Sequence, residues 1–163
     1  MQGTWDIPAD AGEVRVRTGS SGPLRLDASA PVRSGSLRIG GDIEFTLVLA
    51  LDQMRTSNFL MQAAARSLIT AHRVHELVYV GTGALAEVIT VLGTARAGDL
   101  VLDLGLRITP IRGAEEAMSA IEIAGDSNVG TVQIPLPGVG QVDDLRFSVA
   151  GRLPLRAATD PRR

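Results

Sequence analysis

Hydrophobic and polar positions alternate along much of this chain. In IEFTLVLAL, Ile43, Phe45, Leu47, Leu49 and Leu51 fall on one side and Glu44, Thr46 and Asp52 on the other, the period of two of a half-buried strand. LVLDLGLRI repeats the pattern, with Leu100, Leu102, Leu104, Leu106 and Ile108 set against Asp103, Gly105, Arg107 and Thr109. EVRVR places Val14 and Val16 opposite Glu13, Arg15 and Arg17, and short runs at Leu24 and Leu26 and at Leu37 and Ile39 do the same. ELVYV, EVITVLG, AIEIAG, TVQIPL and LRFSVAGRL read as further strands.

Turn signals at Ser21-Gly22-Pro23, Gly40-Gly41-Asp42, Ala97-Gly98-Asp99, Gly125-Asp126 and Pro137-Gly138 separate these runs. Many short strands so spaced predict an all-β, antiparallel sandwich or barrel. A barrel is favoured, because strands with one strongly apolar face need a partner surface, and curling the sheet on itself supplies one while removing edges. Pro135 cannot donate to a ladder and belongs near a strand end or edge.

One stretch breaks the alternation. Between Asn58 and Val80 there is neither Gly nor Pro, and Leu60, Ala64, Leu68 and Ala71 recur at helical spacing. With Ser57 or Asn58 as cap, this predicts one short helix over 58–71, packed against a barrel end.

Composition narrows the class. A chain of 163 residues with 45% apolar content fills one core and is short for two, so residues 1–156 are expected to form one barrel domain and 157–163 a flexible tail. Aromatic residues are 3% of the chain, which makes any cavity wall aliphatic. The formal charge of −2 arises from scattered mixed signs, with no basic stripe, so nucleic acid is not an expected partner. There is no cysteine, which excludes disulfides and thiolate chemistry. No segment has the roughly 18 uninterrupted apolar residues of a membrane span, and MQGTWDIPADAGEVRV lacks a secretory pattern, so a cytoplasmic location is expected.

Candidate chemistry is sparse. His72 and His75 share a helical spacing but lack the third and fourth ligands that zinc wants, so no metal is expected. Gly81-Thr82-Gly83 lacks the third glycine and the βαβ context of a dinucleotide loop and reads as a hairpin turn. Glu115-Glu116 and Asp143-Asp144 are adjacent acids in loop-like surroundings, which point apart and read as solvated charge. No G-x-S-x-G occurs, and neither histidine has the context of a catalytic base, so no enzyme and no cofactor is expected.

The order of elements is similar to that of the YceI-like family. Trp5, Ile7, Val14 and Val16 match the positions of its first strands, although Pro8, Ala11 and Gly12 stand where the family has Asp, His and Ser. In LALDQMRTSNFLMQAAARSLITAHRVHELVYV, the residues Asp52, Thr56, Asn58, Arg66, Ser67, His75 and Tyr79 find places in order, while Met61 and Gln62 replace an Arg-Asp pair. VITVLGTARAGDLVLDL resembles a later signature through Thr90, Val91, Gly93 and Arg96, with Leu92 in place of a histidine. The likeness runs from about residue 4 to 109 and fades after Pro110.

This resemblance implies a lipocalin-like barrel, without catalysis, that binds or transports a long apolar ligand in its interior: a polyisoprenoid, a quinone-type lipid or a fatty acid. The expected lining is Phe45, Leu47, Leu49, Tyr79, Leu102, Leu104 and Phe147. The residues themselves leave a second reading open, because barrels of about eight strands are just wide enough for side chains or for one small ligand. On that reading the same leucines fill the interior and the barrel is a structural or protein-interaction module. Val48 and Ala50, placed on the outer face by the alternation, leave room for a homodimer.

Overall fold

The computed structural model describes residues 2–18, 27–56, 62–63, 66, 73–98, 100–134 and 140–158. The strands are β1 (Gly3–Ile7), β2 (Glu13–Thr18), β3 (Asp27–Ile39), β4 (Asp42–Ala50), β5 (Arg55–Thr56), β6 (Glu76–Ala84), β7 (Ile89–Ala97), β8 (Leu100–Arg112), β9 (Met118–Ile134), β10 (Gly140–Pro154) and β11 (Arg156–Ala157). All pair antiparallel in one sheet, ordered β11-β1-β3-β2-β10-β9-β8-β7-β6-β4, and β4 returns to pair with β3. That return closes the sheet into an eight-stranded barrel.

The count of eight follows from how the shorter strands share staves. β1 pairs with Gly35–Ile39 of β3 and β2 with Asp27–Pro31, so they lie end to end along one edge of it. On the other edge, β4 occupies Val32–Ile39 and β5 takes over at Ala28 and Ser29. β11 continues β10 and pairs Ala157 with Trp5, and the Ala158 amide donates to the Thr4 carbonyl at 2.9 Å.

The two ends of the barrel differ. One end carries tight hairpins after Ile39, Ala84 and Arg112, and there the Gly40 amide donates to the Asp42 carbonyl (3.0 Å) and the Gly113 amide to Ala117 (2.8 Å). The other end carries the longer connections, β2 to β3 and β4 to β6, the turn at Gly98 (φ +59°), and the β9–β10 hairpin. We call these the hairpin end and the mouth.

Alternation places the side chains as expected on most staves. Ile43, Phe45, Leu47 and Leu49 of β4 are all buried, as are Leu104, Leu106 and Ile108 of β8. Leu51 departs from the expectation, because the chain turns into a one-turn 3-10 helix at Leu51–Gln53. Gly81-Thr82-Gly83 is not a turn but the inner part of β6, and Gly125-Asp126 lies within β9, which joins the expected AIEIAG and TVQIPL strands into one. Both glycines were read as punctuation, whereas each sits where a neighbouring strand approaches too closely for a side chain: a Cβ at Gly83 would overlap the Thr90 carbonyl, and one at Gly125 the Gly105 carbonyl.

Asp143 and Asp144 lie in β10, where its register with β9 shifts between Val142 and Leu145, rather than in a loop. Of the expected helix, Gln62, Ala63 and Arg66 are helical, and its remaining residues lie outside those described. So do Ser21-Gly22-Pro23, Leu24, Leu26, His72, Pro135 and Pro137-Gly138.

Candidate functional site

Ladder register gathers six of the seven expected lining residues into adjoining rows across the inner wall. Leu47, Tyr79, Ala95 and Leu102 form one row through β4, β6, β7 and β8. Phe45, Gly81, Gly93 and Leu104 form the next, one step toward the hairpin end. Leu49 pairs with Leu77 one step toward the mouth. Phe147, the seventh, stands on β10, where it pairs with Thr18 and Ser127 at the mouth end of the β2–β10 ladder.

Two glycines in the second row leave a space, and Tyr79 fills it. Its ring lies over Gly81, where a Cβ would come within 2.7 Å of the hydroxyl oxygen. The hydroxyl reaches past Gly93 and donates to the Leu104 carbonyl at 2.8 Å. Phe45 packs beside it, with ring centroids 6.0 Å apart and planes inclined at 55°. Burial disfavours the phenolate and pushes the Tyr79 hydroxyl up to about 12. Apart from that hydroxyl, the buried residues among those described are apolar.

The interior is closely packed around this aromatic pair: Leu37, Ile39, Ile43, Val91, Leu106, Ile108, Ile121, Ile123 and Leu153 are at most 2% exposed, and Leu47, Leu49 and Tyr79 at most 5%. Partly exposed apolar residues stand at both ends, Ile89, Met118, Ala120, Trp5 and Leu155 at the hairpin end and Ala95, Leu104, Val149, Val16, Leu77 and Phe147 toward the mouth, where Leu102 is also half-buried.

The seam between β8 and β9 changes toward the mouth. Among the described residues their ladder runs from Arg112 with Met118 to Arg107 with Ala124 and stops there. Leu102 and Leu104 therefore stand on a stretch of β8 without ladder pairs to β9, where the Ser127 hydroxyl donates to the Asp103 carbonyl at 3.2 Å.

The rim is fixed from outside by polar contacts. Arg33 donates to Glu76 at 2.7 Å and to Asp52 at 3.0 Å, and the Leu51 amide donates to the His75 carbonyl at 2.9 Å, which ties the end of β4 to the start of β6. These bonds to two carboxylates hold the Arg33 guanidinium above its ordinary range, the bond to Glu76 foremost. Gln62 uses its side-chain amide as a strand edge: it donates to the Met54 carbonyl at 3.0 Å and accepts from the Thr56 amide at 2.7 Å.

A cleft of about 570 Å³ lies beside this contact, lined by residues that include Glu13, Ser29, Asp52, Arg55, Gln62 and Arg66. Glu13 comes from β2 and Ser29 and Pro31 from β3, facing away from the buried Val14, Ala28 and Ala30, and the rest from the segment after β4, Gln62 and Arg66.

The expectation of exposed apolar residues at Val48 and Ala50 needs correction. Ala50 is buried and Val48 is half-buried. Among the described residues, the exposed large apolar ones are Val80, Leu85, Val88, Leu92 and Val101, on β6, β7, β8 and the hairpin between β6 and β7. No group of three or more His, Cys, Asp or Glu side chains is placed to hold a metal among the described residues. Nor is any described helix long and apolar enough to cross a membrane.

No family model matches the chain, and no curated protein matches it in sequence. A solved structure does. The fold is that of a polyisoprenoid-binding domain from Saccharophagus degradans implicated in plant cell wall breakdown, with a TM-score of 0.60 at 15% identity, over 97% of this chain and 100% of that one. The lipocalin-like barrel expected from the resemblance to YceI-like proteins is the barrel found.

Sequence reasoning chose the large lining residues and missed the small ones. Gly81 leaves the space that the Tyr79 ring fills, and Leu77, Val16 and Val149 are further apolar residues in or against the same core. In ITVLGTARA the inward set Val91, Gly93, Ala95 follows the same period of two, and that was the signal available.

Proposed function

We propose that this protein binds an amphiphile without catalysis, holding its apolar chain in the mouth half of the barrel among Leu47, Leu49, Tyr79, Leu102, Leu104 and Phe147. The observation that supports this reading is the apolar inner wall toward the mouth, where Val16, Leu77, Leu102 and Phe147 are only half-buried. A wall of this kind gains roughly 0.8 kcal/mol for each methylene it buries, so an aliphatic chain binds without a charged contact. The structural neighbour's polyisoprenoid ligand belongs to the same chemical class, which supports a lipid rather than a polar metabolite.

The alternative is an interior closed by its own side chains. The half-buried residues at the mouth favour a ligand there. Native mass spectrometry of the purified protein, followed by extraction of bound lipid, tests the reading. A stoichiometric lipid released on denaturation supports it, whereas a ligand-free mass together with no thermal shift on adding fatty acids or prenyl lipids refutes it.

A further inference from the structure

Three of the exposed large apolar side chains share one outer face of the barrel. On β6, β7 and β8 the outward positions form rows: Val78, Arg96 and Val101 nearest the mouth, then Val80, Thr94 and Asp103, then Thr82, Leu92 and Gly105. Leu92 is 71% exposed, Val80 53% and Val101 50%. Leu92 leans over its ladder partner Gly105, where a Cβ would lie 3.2 Å from the leucine Cδ2, so it stands proud of a stretch of β8 that has no side chain.

Two charges flank this leucine. Asp103 and Arg107 lie on β8 two positions to either side of Gly105, both outward and exposed. In the ladders Asp103 faces Thr94, and Arg107 faces Thr90 and Ala124, so neither stands opposite a charge, and neither forms an ion pair among the described residues. Four residues of strand hold them about 13 Å apart, too far to pair with each other.

We propose that this face binds a second copy of the chain about a two-fold axis that crosses β8 at Gly105. An axis lying between two such sheets, perpendicular to β8, sets each position on one side of Gly105 over the matching position on the other side in the second copy. Asp103 then faces Arg107 of the second copy, twice over, and Leu92 meets Leu92. The face is thus complementary to itself in charge and in apolar surface. An anionic lipid surface fits it less well, because it would attract Arg107 and repel Asp103. Four strands by seven residues make a face of roughly 15 by 20 Å, at the small end of specific interfaces, so the dimer is a weak one.

Sedimentation equilibrium of the purified chain tests this. A monomer that passes to a dimer with a Kd on the order of 50 µM is expected, and a monomer mass throughout, up to about 500 µM, overturns the proposal. Leu92→Glu, at an exposed position, is expected to keep the urea midpoint and to weaken association at least about tenfold. A dimer of unchanged Kd in that variant places the interface elsewhere and overturns the assignment. The charge pairs are tested by exchange: Asp103→Arg and Arg107→Asp are each expected to be monomeric alone, because like charges then face each other. An equimolar mixture of the two, and the chain carrying both substitutions, are expected to associate as the parent does. Single variants that dimerise as strongly as the parent overturn the two-fold through Gly105.

Discussion

Gly81 and Tyr79 are packed so closely that only glycine fits between ring and strand: a Cβ on residue 81 would lie 2.7 Å from the Tyr79 hydroxyl oxygen and 2.9 Å from its Cε1. Gly81→Ala must therefore displace the ring and break its bond to Leu104. Overpacking and the lost bond together outweigh the ordinary gain of Ala over Gly in a strand, for a net cost of about 1–3 kcal/mol in urea unfolding. In a Tyr79→Leu background the same change should cost almost nothing. A double-mutant cycle that adds to within about 0.5 kcal/mol would disprove the coupling.

The hydroxyl itself is separable from the ring. Tyr79→Phe keeps the layer's shape and removes the donor, which leaves the Leu104 carbonyl short of a buried partner. The expected loss is about 1–2 kcal/mol, seen as a lower urea midpoint at unchanged m-value.

Tyr79 is the only tyrosine in the chain, so its ionisation can be followed alone by phenolate absorbance. Its folded value is pushed up to about 12 by burial, against about 10 when unfolded. Between those values the folded state holds the proton that the unfolded state has lost, so stability is full below pH 10 and falls as pH rises toward 12. The expected record is a single titration near pH 12, or cooperative unfolding on the way there. A reversible titration near pH 10 in folded protein would mean that the ring is not buried.

How much of this was legible in the sequence depends on what kind of signal each residue gives. Period-two alternation identified β4 and β8 and with them five inward residues, Phe45, Leu47, Leu49, Leu102 and Leu104, because an apolar face must be buried whichever topology buries it. Register across strands is a tertiary property, and nothing local shows that Phe45, Gly81, Gly93 and Leu104 stand in one row. Glycine was the main source of error. At Gly98 it marks a turn with positive φ, whereas at Gly81 and Gly125 it marks close approach within a strand, and local sequence does not distinguish these uses.

Gln62 offers a test of how the mouth is held. Its amide meets both the Met54 carbonyl and the Thr56 amide, so Gln62→Ala loosens the hold on a short strand whose ladder partners among the described residues are Ala28 and Ser29. The expected result is a modest loss of global stability, about 1 kcal/mol, with faster hydrogen exchange at the Thr56 amide. Unchanged exchange at Thr56 would show that the helix contributes nothing to holding β5.

Leu102 separates binding from folding. It shares a row with Tyr79, points inward, and is only half-buried, so a polar replacement there is partly solvated in the free protein. Leu102→Gln should shift the urea midpoint by the equivalent of about 1 kcal/mol or less. Its effect on a bound chain is larger, because a docked chain would seal the amide from water and leave it unpaired. Affinity for decanoate is expected to fall about tenfold or more. Val101→Gln, one position along on the outer face and 50% exposed, is the control that should change neither quantity. If both variants bind decanoate as the parent does, the chain lies elsewhere, and the polar cleft beside Arg55 and Arg66 becomes the place to look.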